Sequence, residues 1–401
     1  MTRFSIIKTV GGLLATVLLA VYSSASLALT AANTTVSNLA TVNYQVGGVS
    51  QTAIGSSPTG NPSGAGTATT FQVDDDITFV VSTVDSSDVG VTPAQTTVGV
   101  LVYKITNNGN ATHGFLFSTV DEANGTANPF TGNTDSFNTT ESVFVSKNNT
   151  TTYVPANDTS SSLYSLAPGA SNYVFVVTPA NTGIPNNLSN GSVAVLGLVG
   201  QAAATGASYA AGAGAASVDQ SGSPWTSATM QTIFADAAGT DDIAKDGKSS
   251  SRDAFVIQSA VLTITKSATV ISDPTGDATP HSIPGAVMQY TITIANSGTA
   301  TANATSVGLV DNLGAGGNNL ATYATWVTGQ FKITTPGVNS GAQFTCADNG
   351  SSTTTQAATG GVPYTAVTCD YNKTTAAAIT ISGIALKPGD TTTIVYEATI
   401  N

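Results

Sequence analysis

Residues 285–298 read Gly285-Ala-Val-Met-Gln-Tyr290-Thr-Ile292-Thr-Ile294-Ala-Asn296-Ser-Gly298. Tyr290, Ile292 and Ile294 alternate with Gln289, Thr291 and Thr293. A period of two belongs to a strand with one buried and one solvated face. Asn-Ser-Gly supplies turn chemistry, an Asx side chain that bonds its own backbone and a glycine free to take positive φ. A second such strand lies upstream, where Leu101, Tyr103 and Ile105 alternate before Asn107-Asn108-Gly109. In register, Leu101 falls on Tyr290, Ile105 on Ile294, Asn107 on Asn296 and Gly109 on Gly298. Each copy is followed by a second shared signal ahead of a strand, Leu166-Ala-Pro168-Gly169 and Leu386-Lys-Pro388-Gly389. The pattern is that of one β-module used twice.

The 401 residues suffice for two or three domains, each with its own core. Charged residues make up 8% of the chain, against roughly 25% in an average soluble domain. Thr, Ser, Ala, Asn and Gly fill the difference. Such a chain does not match the disordered class, which pairs low hydrophobicity with high net charge. A net charge of −12 with only 11 Lys and Arg excludes the basic patch that nucleic acid requires. Past the leader, no apolar run is long enough to span a bilayer.

Residues 1–28 form a tripartite export signal. Arg3 and Lys8 charge its start, Val10 to Val21 is the apolar stretch, and Ser26-Leu27-Ala28 places small residues where signal peptidase reads. Cleavage is expected after Ala28, the alternative being an uncleaved anchor. The mature protein is expected to be secreted or extracellular at the cell surface, and not membrane-spanning after signal cleavage.

The alternation and spacing of the strands predict an all-β chain, two β-sandwich modules joined by an Ala/Gly/Ser-rich segment. The first covers 29–200, with a first strand at 31–46. Residues 201–257 are expected to be linker and acidic loop, and 258–401 the second module. Helical periodicity is absent except for a weak stretch at 226–246, with room for one or two turns. Phe115, Phe117, Phe130 and Phe137 are expected core contacts of the first module, and Trp326, Phe331 and Ile333 of the second.

Residues 262–298 and 309–400 resemble the DUF11, or conserved-repeat, family of surface proteins. The resemblance rests on Lys266, Pro284-Gly285, Tyr290, Asn296-Ser-Gly298, Asp311 and Leu386-Lys-Pro388-Gly389, in that order. It covers about a third of the chain, and 95–109 with 166–177 carry a looser version. It implies Ig-like sandwiches in exported, surface or filament-associated proteins, and no catalytic residues.

No Ser, His and Asp are framed as a nucleophile elbow and no glycine-rich loop leads into Lys-Ser/Thr and a helix, so no enzyme is expected. His113 and His281 both sit beside turn residues and fall in different modules, so they read as structural or solvated. Asp236, Asp241, Asp242, Asp246 and Asp253 offer hard oxygens of the kind Ca²⁺ takes. Their spacing is not that of an EF-hand. The alternative is a solvated loop neutralised by Lys245, Lys248 and Arg252, with no cofactor. Asp74, Asp75 and Asp76 are a weaker candidate that also suits a guarded sheet edge. Cys346 and Cys369, an even pair in one module of an exported chain, are expected to form a disulfide.

In the first strand, Val36, Ala40, Val42, Tyr44 and Val46 share one parity. Gly47-Gly48 and the polar loop 49–69 leave it no evident hairpin partner. Either it lies on its own sandwich, or it pairs with copies of the protein head to tail. The functional expectation is a structural protein that self-assembles into an extracellular filament or matrix through this strand. The alternative is a surface adhesin or a glycan- or protein-binding module, for which Trp225 and Trp326 are the aromatic candidates.

Overall fold

A computed structural model describes residues 29–401 apart from 131, 205–218, 223, 315–318, 349–352 and 373–377. The expected leader lies outside the described residues, as does most of the Ala/Gly/Ser-rich stretch. Among the described residues the chain is all-β and sandwich-like, with one α-helical turn at Leu320–Tyr323 and one 3-10 turn at Asn339–Gly341. Among these residues no helix is long and apolar enough to cross a membrane.

Two sheet pairs enclose two separate cores. In the first, a four-stranded sheet runs in the order Ser142–Val145, Ser171–Thr178, Gly99–Asn107, Phe79–Thr83. Facing it is a five-stranded sheet in the order Ser162–Leu166, His113–Asp121, Val193–Ala203, Lys248–Ile257, Val89–Val91. Alternation along Gly99–Asn107 puts Leu101, Tyr103 and Ile105 inside, against Phe115, Leu196 and Phe255 of the other sheet. Phe137 joins this core, while Phe117 packs at its margin. Phe130 packs instead against a small outer cluster of Val193, Val195 and Ala254.

In the second pair, Leu262–Ser272, Val287–Asn296, Thr391–Ile400, Lys332–Thr334 and Phe344–Thr345 form one sheet, with Ala324–Trp326 also on Thr391–Ile400. Ala304–Asn312, Ala378–Leu386, Val367–Asn372 and Thr354–Gln356 form the other. Ile292, Ile294, Phe331, Ile333, Ile394 and Tyr396 meet Leu309, Ile379, Ile381 and Leu386 between them. Trp326 stacks on Tyr371 at 3.9 Å and on Tyr396 at 5.2 Å, and Tyr396 on Tyr290 at 5.0 Å. Offset stacking of this kind adds to what area burial alone contributes. Cys346 and Cys369 are disulfide-bonded inside this core, as expected.

The duplicated motifs occupy equivalent places. Asn107 Nδ2 donates to the carbonyls of Leu166, at 2.8 Å, and Ala111. Asn296 Nδ2 donates to those of Leu386, at 3.2 Å, and Ala302. The N–H of Gly169 donates to Asn107 O at 2.7 Å, and that of Gly389 to Asn296 O at 2.8 Å. Both glycines sit at positive φ, +74° and +86°, where a side chain is strained. In each module, then, the Asn-x-Gly turn clamps the Leu-x-Pro-Gly turn. In each, one buried asparagine donates to two main-chain carbonyls near the turns.

Three boundaries differ from expectation. Lys248–Ile257 is not linker, because it pairs along its length with Val193–Ala203 inside the first sandwich. The chain therefore makes an excursion after Ala203 and is back in that sandwich by Lys248. The joint between the modules is the short stretch 258–261, held by Asn190, which accepts from Ser259 N and Thr301 Oγ1 and donates to Thr299 O. Residues 226–246 contain no helix. Thr232–Phe234 is a strand parallel to Asp75–Ile77.

Candidate functional site

Residues 34–73 form an arm that leaves the first sandwich beside Asn110. That side chain donates to Thr30 O and Asp74 O, and the Asn110 carbonyl accepts from Ala32 N. The expected unbroken strand at 31–46 is three short pieces. Thr35–Asn38 pairs with Thr69–Gln72, Thr41–Val42 with Ile54–Gly55, and Gln45–Val46 with Val49–Ser50. Gly47 and Gly48, both at positive φ, reverse the chain between the last two. The segment thus has a hairpin partner in its own return leg, which corrects the expectation of an unpaired strand. Two-residue pairings interrupted by polar residues left no alternating signal in 49–72 from which to foresee it.

The hairpin satisfies one side of the ladder and leaves the other free. Val36 is half-buried, whereas Ala40, Val42, Tyr44 and Val46 are exposed, together with Leu39, Val49 and Phe71. No Asp, Glu, Lys, Arg or His occurs from Leu29 to Val73. Charge is the usual device by which an edge avoids pairing with other chains, and the arm carries none.

The acidic residues divide into three groups. Asp236, Asp242 and Asp246 bring one carboxylate oxygen each to within 4.8 Å of one another. Gly247, at φ +72°, turns the chain so that its N–H and that of Asp246 donate to the buried Asp236 carboxylate, at 3.0 and 3.2 Å. Asp242 accepts from Gly239 N and Ser250 Oγ, and Asp246 from Lys248 N. Three carboxylates at this spacing form a hard-oxygen set able in principle to coordinate a metal ion.

Asp241, expected to join that set, turns instead to Arg252. Nε donates to its Oδ1 at 2.9 Å, and Nη2 bridges the same oxygen to Glu122. Burial pushes the Asp241 carboxyl up, but the hydrogen bonds from Arg252 and Thr240 outweigh it and hold it below its ordinary value. Asp253 lies apart too, because alternation along its strand aims it at the opposite sheet. Fully buried, it accepts from Thr83 Oγ1 of that sheet and from the N–H of Ala254 on its own strand. Burial pushes its pKa up to about 8, and neighbouring Asp85 adds to the rise. Neither belongs to the three-carboxylate group.

Asp74, Asp75 and Asp76 serve local structure. Asp74 caps Gln231 N, Asp76 accepts from Thr78 Oγ1, and Asp75 holds His113 Nε2 at 2.9 Å in a buried pair. Asp75 and Asp76 lie on a strand that pairs on one side with Thr232–Phe234. His281 is exposed beside Asp273. Of the two tryptophans, Trp225 is 62% exposed, whereas Trp326 is held in the aromatic stack.

No family model and no curated protein matches the sequence. Among solved structures, the chain is similar to the C-terminal domain of the AgI/II polypeptide BspA of Streptococcus agalactiae. Identity is 9% over 80% of this chain and 91% of that one, with a TM-score of 0.32. It is similar also to the secreted serine protease VesC of Vibrio cholerae, at 12% identity over 80% of this chain and 50% of that one, with a TM-score of 0.20. Overlaps this loose transfer neither a fold nor an activity.

Proposed function

We propose that the protein is a non-catalytic structural subunit of the cell exterior, secreted or held at the surface, that assembles with copies of itself through residues 34–73. The observation that carries this reading is the arm. It is uncharged, apolar on its exposed side, and open along one ladder edge. An edge with these properties templates pairing with another chain. The leader and the ordered DUF11-like motifs support an exported location and an Ig-like module. Sedimentation velocity and electron microscopy of residues 29–401 test the reading. Concentration-dependent growth is expected, and removal of the arm abolishes it. A monomer at every concentration refutes it.

Ca²⁺ at Asp236, Asp242 and Asp246 is part of the same proposal, as a clip on the excursion that returns to the first sandwich. The adhesin reading keeps one favourable observation, the exposed indole of Trp225. It requires glycan or protein binding that Trp225→Ala removes.

A further inference from the structure

The internal duplication provides a ruler for what each sandwich needs. Ile105 pairs with Val81 and Asn107 with Phe79, just as Ile294 pairs with Ile264 and Asn296 with Leu262. Because Ile105 matches Ile294 and Asn107 matches Asn296, Val81 corresponds to Ile264 and Phe79 to Leu262. Val81 and Phe79 are 4% and 1% exposed, whereas Ile264 and Leu262 are 60% and 46% exposed. The same positions of the same strand are closed in one module and open in the other.

The difference has a structural source. In the first module, Val193–Ala203 extends the sheet beyond His113–Asp121, and Lys248–Ile257 extends it again. From there the hydroxyls of Ser249 and Ser251 accept from Val81 N and Thr83 N, at 3.0 and 3.1 Å, and close the seam. Ala304–Asn312 is the counterpart of His113–Asp121. Each follows the Asn-x-Gly turn, and each pairs with the strand that ends at the leucine of Leu-x-Pro-Gly. Yet among the described residues no strand pairs with the other side of Ala304–Asn312. Val310 stands 71% exposed, and a groove between Leu262, Ile264, Ile294, Val307 and Leu309 runs along the seam.

Two adjacent strand positions are thus filled in the first module and open in the second, and the arm is a two-stranded hairpin. We propose that the arm of one copy adds to the C-terminal sandwich of a second copy, between its Leu262–Ser272 and Ala304–Asn312 edges. This rests on the self-assembly reading above and names the site on the receiving copy. Val193–Ala203, which fills the first position in the N-terminal module, carries no charge, and neither does the arm, whose exposed Val42, Tyr44, Val46, Val49 and Phe71 supply apolar contacts. The charges at the seam, Lys266 and Asp311, already pair at 2.7 Å, so covering them strands neither. In this structure the arm and the seam are both exposed, so one copy does not cover its own. The arm leaves the first sandwich at the Asn110 end, and the joint at Asn190 lies at the other. Lys248–Ile257 spans the distance between them, about 33 Å at the usual rise per residue. A contact from one end of a copy to the far module of the next is heterologous, and propagates as an open filament wherever the rotation between copies does not close a ring.

The test uses residues 29–401 and four proteins, namely wild type, Ile264→Asp at the seam, Val42→Asp/Tyr44→Asp on the arm, and the control Tyr323→Asp. All four altered side chains are exposed, and thermal melts check that each variant folds. In sedimentation velocity, wild type and control are expected to grow with concentration. Each of the other two is expected to lose self-association at least tenfold. Mixing these two should give a 1:1 heterodimer and nothing larger, because one supplies an intact arm and the other an intact seam. An Ile264→Asp protein that assembles like wild type, or a mixture that stays monomeric while wild type assembles, overturns the seam and leaves self-assembly standing. A wild type that is monomeric throughout overturns both.

Discussion

Asp253→Asn should flatten part of the pH dependence of stability. Asp253 has no solvent exposure and sits between Thr83, Ala254 N–H and Asp85, in the space between two sheets. Burial disfavours the charged form and raises the folded-state pKa from 3.8 to about 8. The native state therefore keeps a proton that the unfolded chain releases above about pH 4. The contribution to stability is fully present below that value and is lost as pH rises toward 8. Across the window the slope is about 1.4 kcal/mol per pH unit. Between pH 5 and 7 that amounts to about 2–3 kcal/mol.

Asparagine reproduces the neutral acid, with an oxygen to accept from Thr83 and an amide to donate to Asp85. The variant should match wild type near pH 5 and exceed it at pH 7–8. Urea melts at pH 5, 6, 7 and 8 measure the difference. Burial also raises Asp121, Glu122 and Asp135, but these are present in both proteins and cancel in the comparison. Parallel stability curves for the two proteins would refute the assignment of a neutral Asp253.

Reduction, or Cys346→Ala with Cys369→Ala, should lower stability by about 3 kcal/mol, the loop-closure value for the observed separation of 23 residues, read from urea melts with and without reductant. Asn107→Ala and Asn296→Ala should each cost about 2–3 kcal/mol, since each strands two carbonyls near the turns. A neutral result at either position would separate the two modules' turns. If Ca²⁺ binds, melting temperature should rise with it in wild type and not in Asp246→Asn, whereas Asp241→Asn should lower stability with or without the ion by breaking the Arg252 pair. Differential scanning fluorimetry against Ca²⁺ and chelator distinguishes these outcomes.

The parts of the fold legible in sequence are those whose signal is local. Ile292 and Ile294 alternate with threonines because one sheet face is buried, so period alone places the strand. Asn107 and Asn296 were legible as turn residues. That each reaches a leucine carbonyl 59 or 90 residues away was not, although both halves of the contact were visible as repeated motifs. Lys248–Ile257 escaped because Lys248, Arg252 and Asp253 give it the composition of a solvated loop. Arg252 is consumed by Asp241 and Glu122, and Asp253 is buried, so its charge misreports its place. The acidic group was legible as a concentration of carboxylates, but sequence spacing carries no information on which of five side chains converge.

The seam shows why duplicated strands diverge in use while keeping their pattern. Thr83 and Lys266 occupy the same position, opposite Tyr103 and Ile292. Under a covering strand the short hydroxyl of Thr83 reaches the buried Asp253. At the open seam a long lysine spans the gap to Asp311, which also accepts from the Tyr396 hydroxyl at 2.8 Å. A lysine on an edge strand hinders indiscriminate pairing. Tied to Asp311 on the opposite sheet, the lysine is already neutralised, so the proposed arm has to cover Leu262 and Ile264 without bringing a charge of its own. Period-two alternation is identical in the covered and uncovered strands, so parity cannot distinguish them. The residue that replaces Thr83 does.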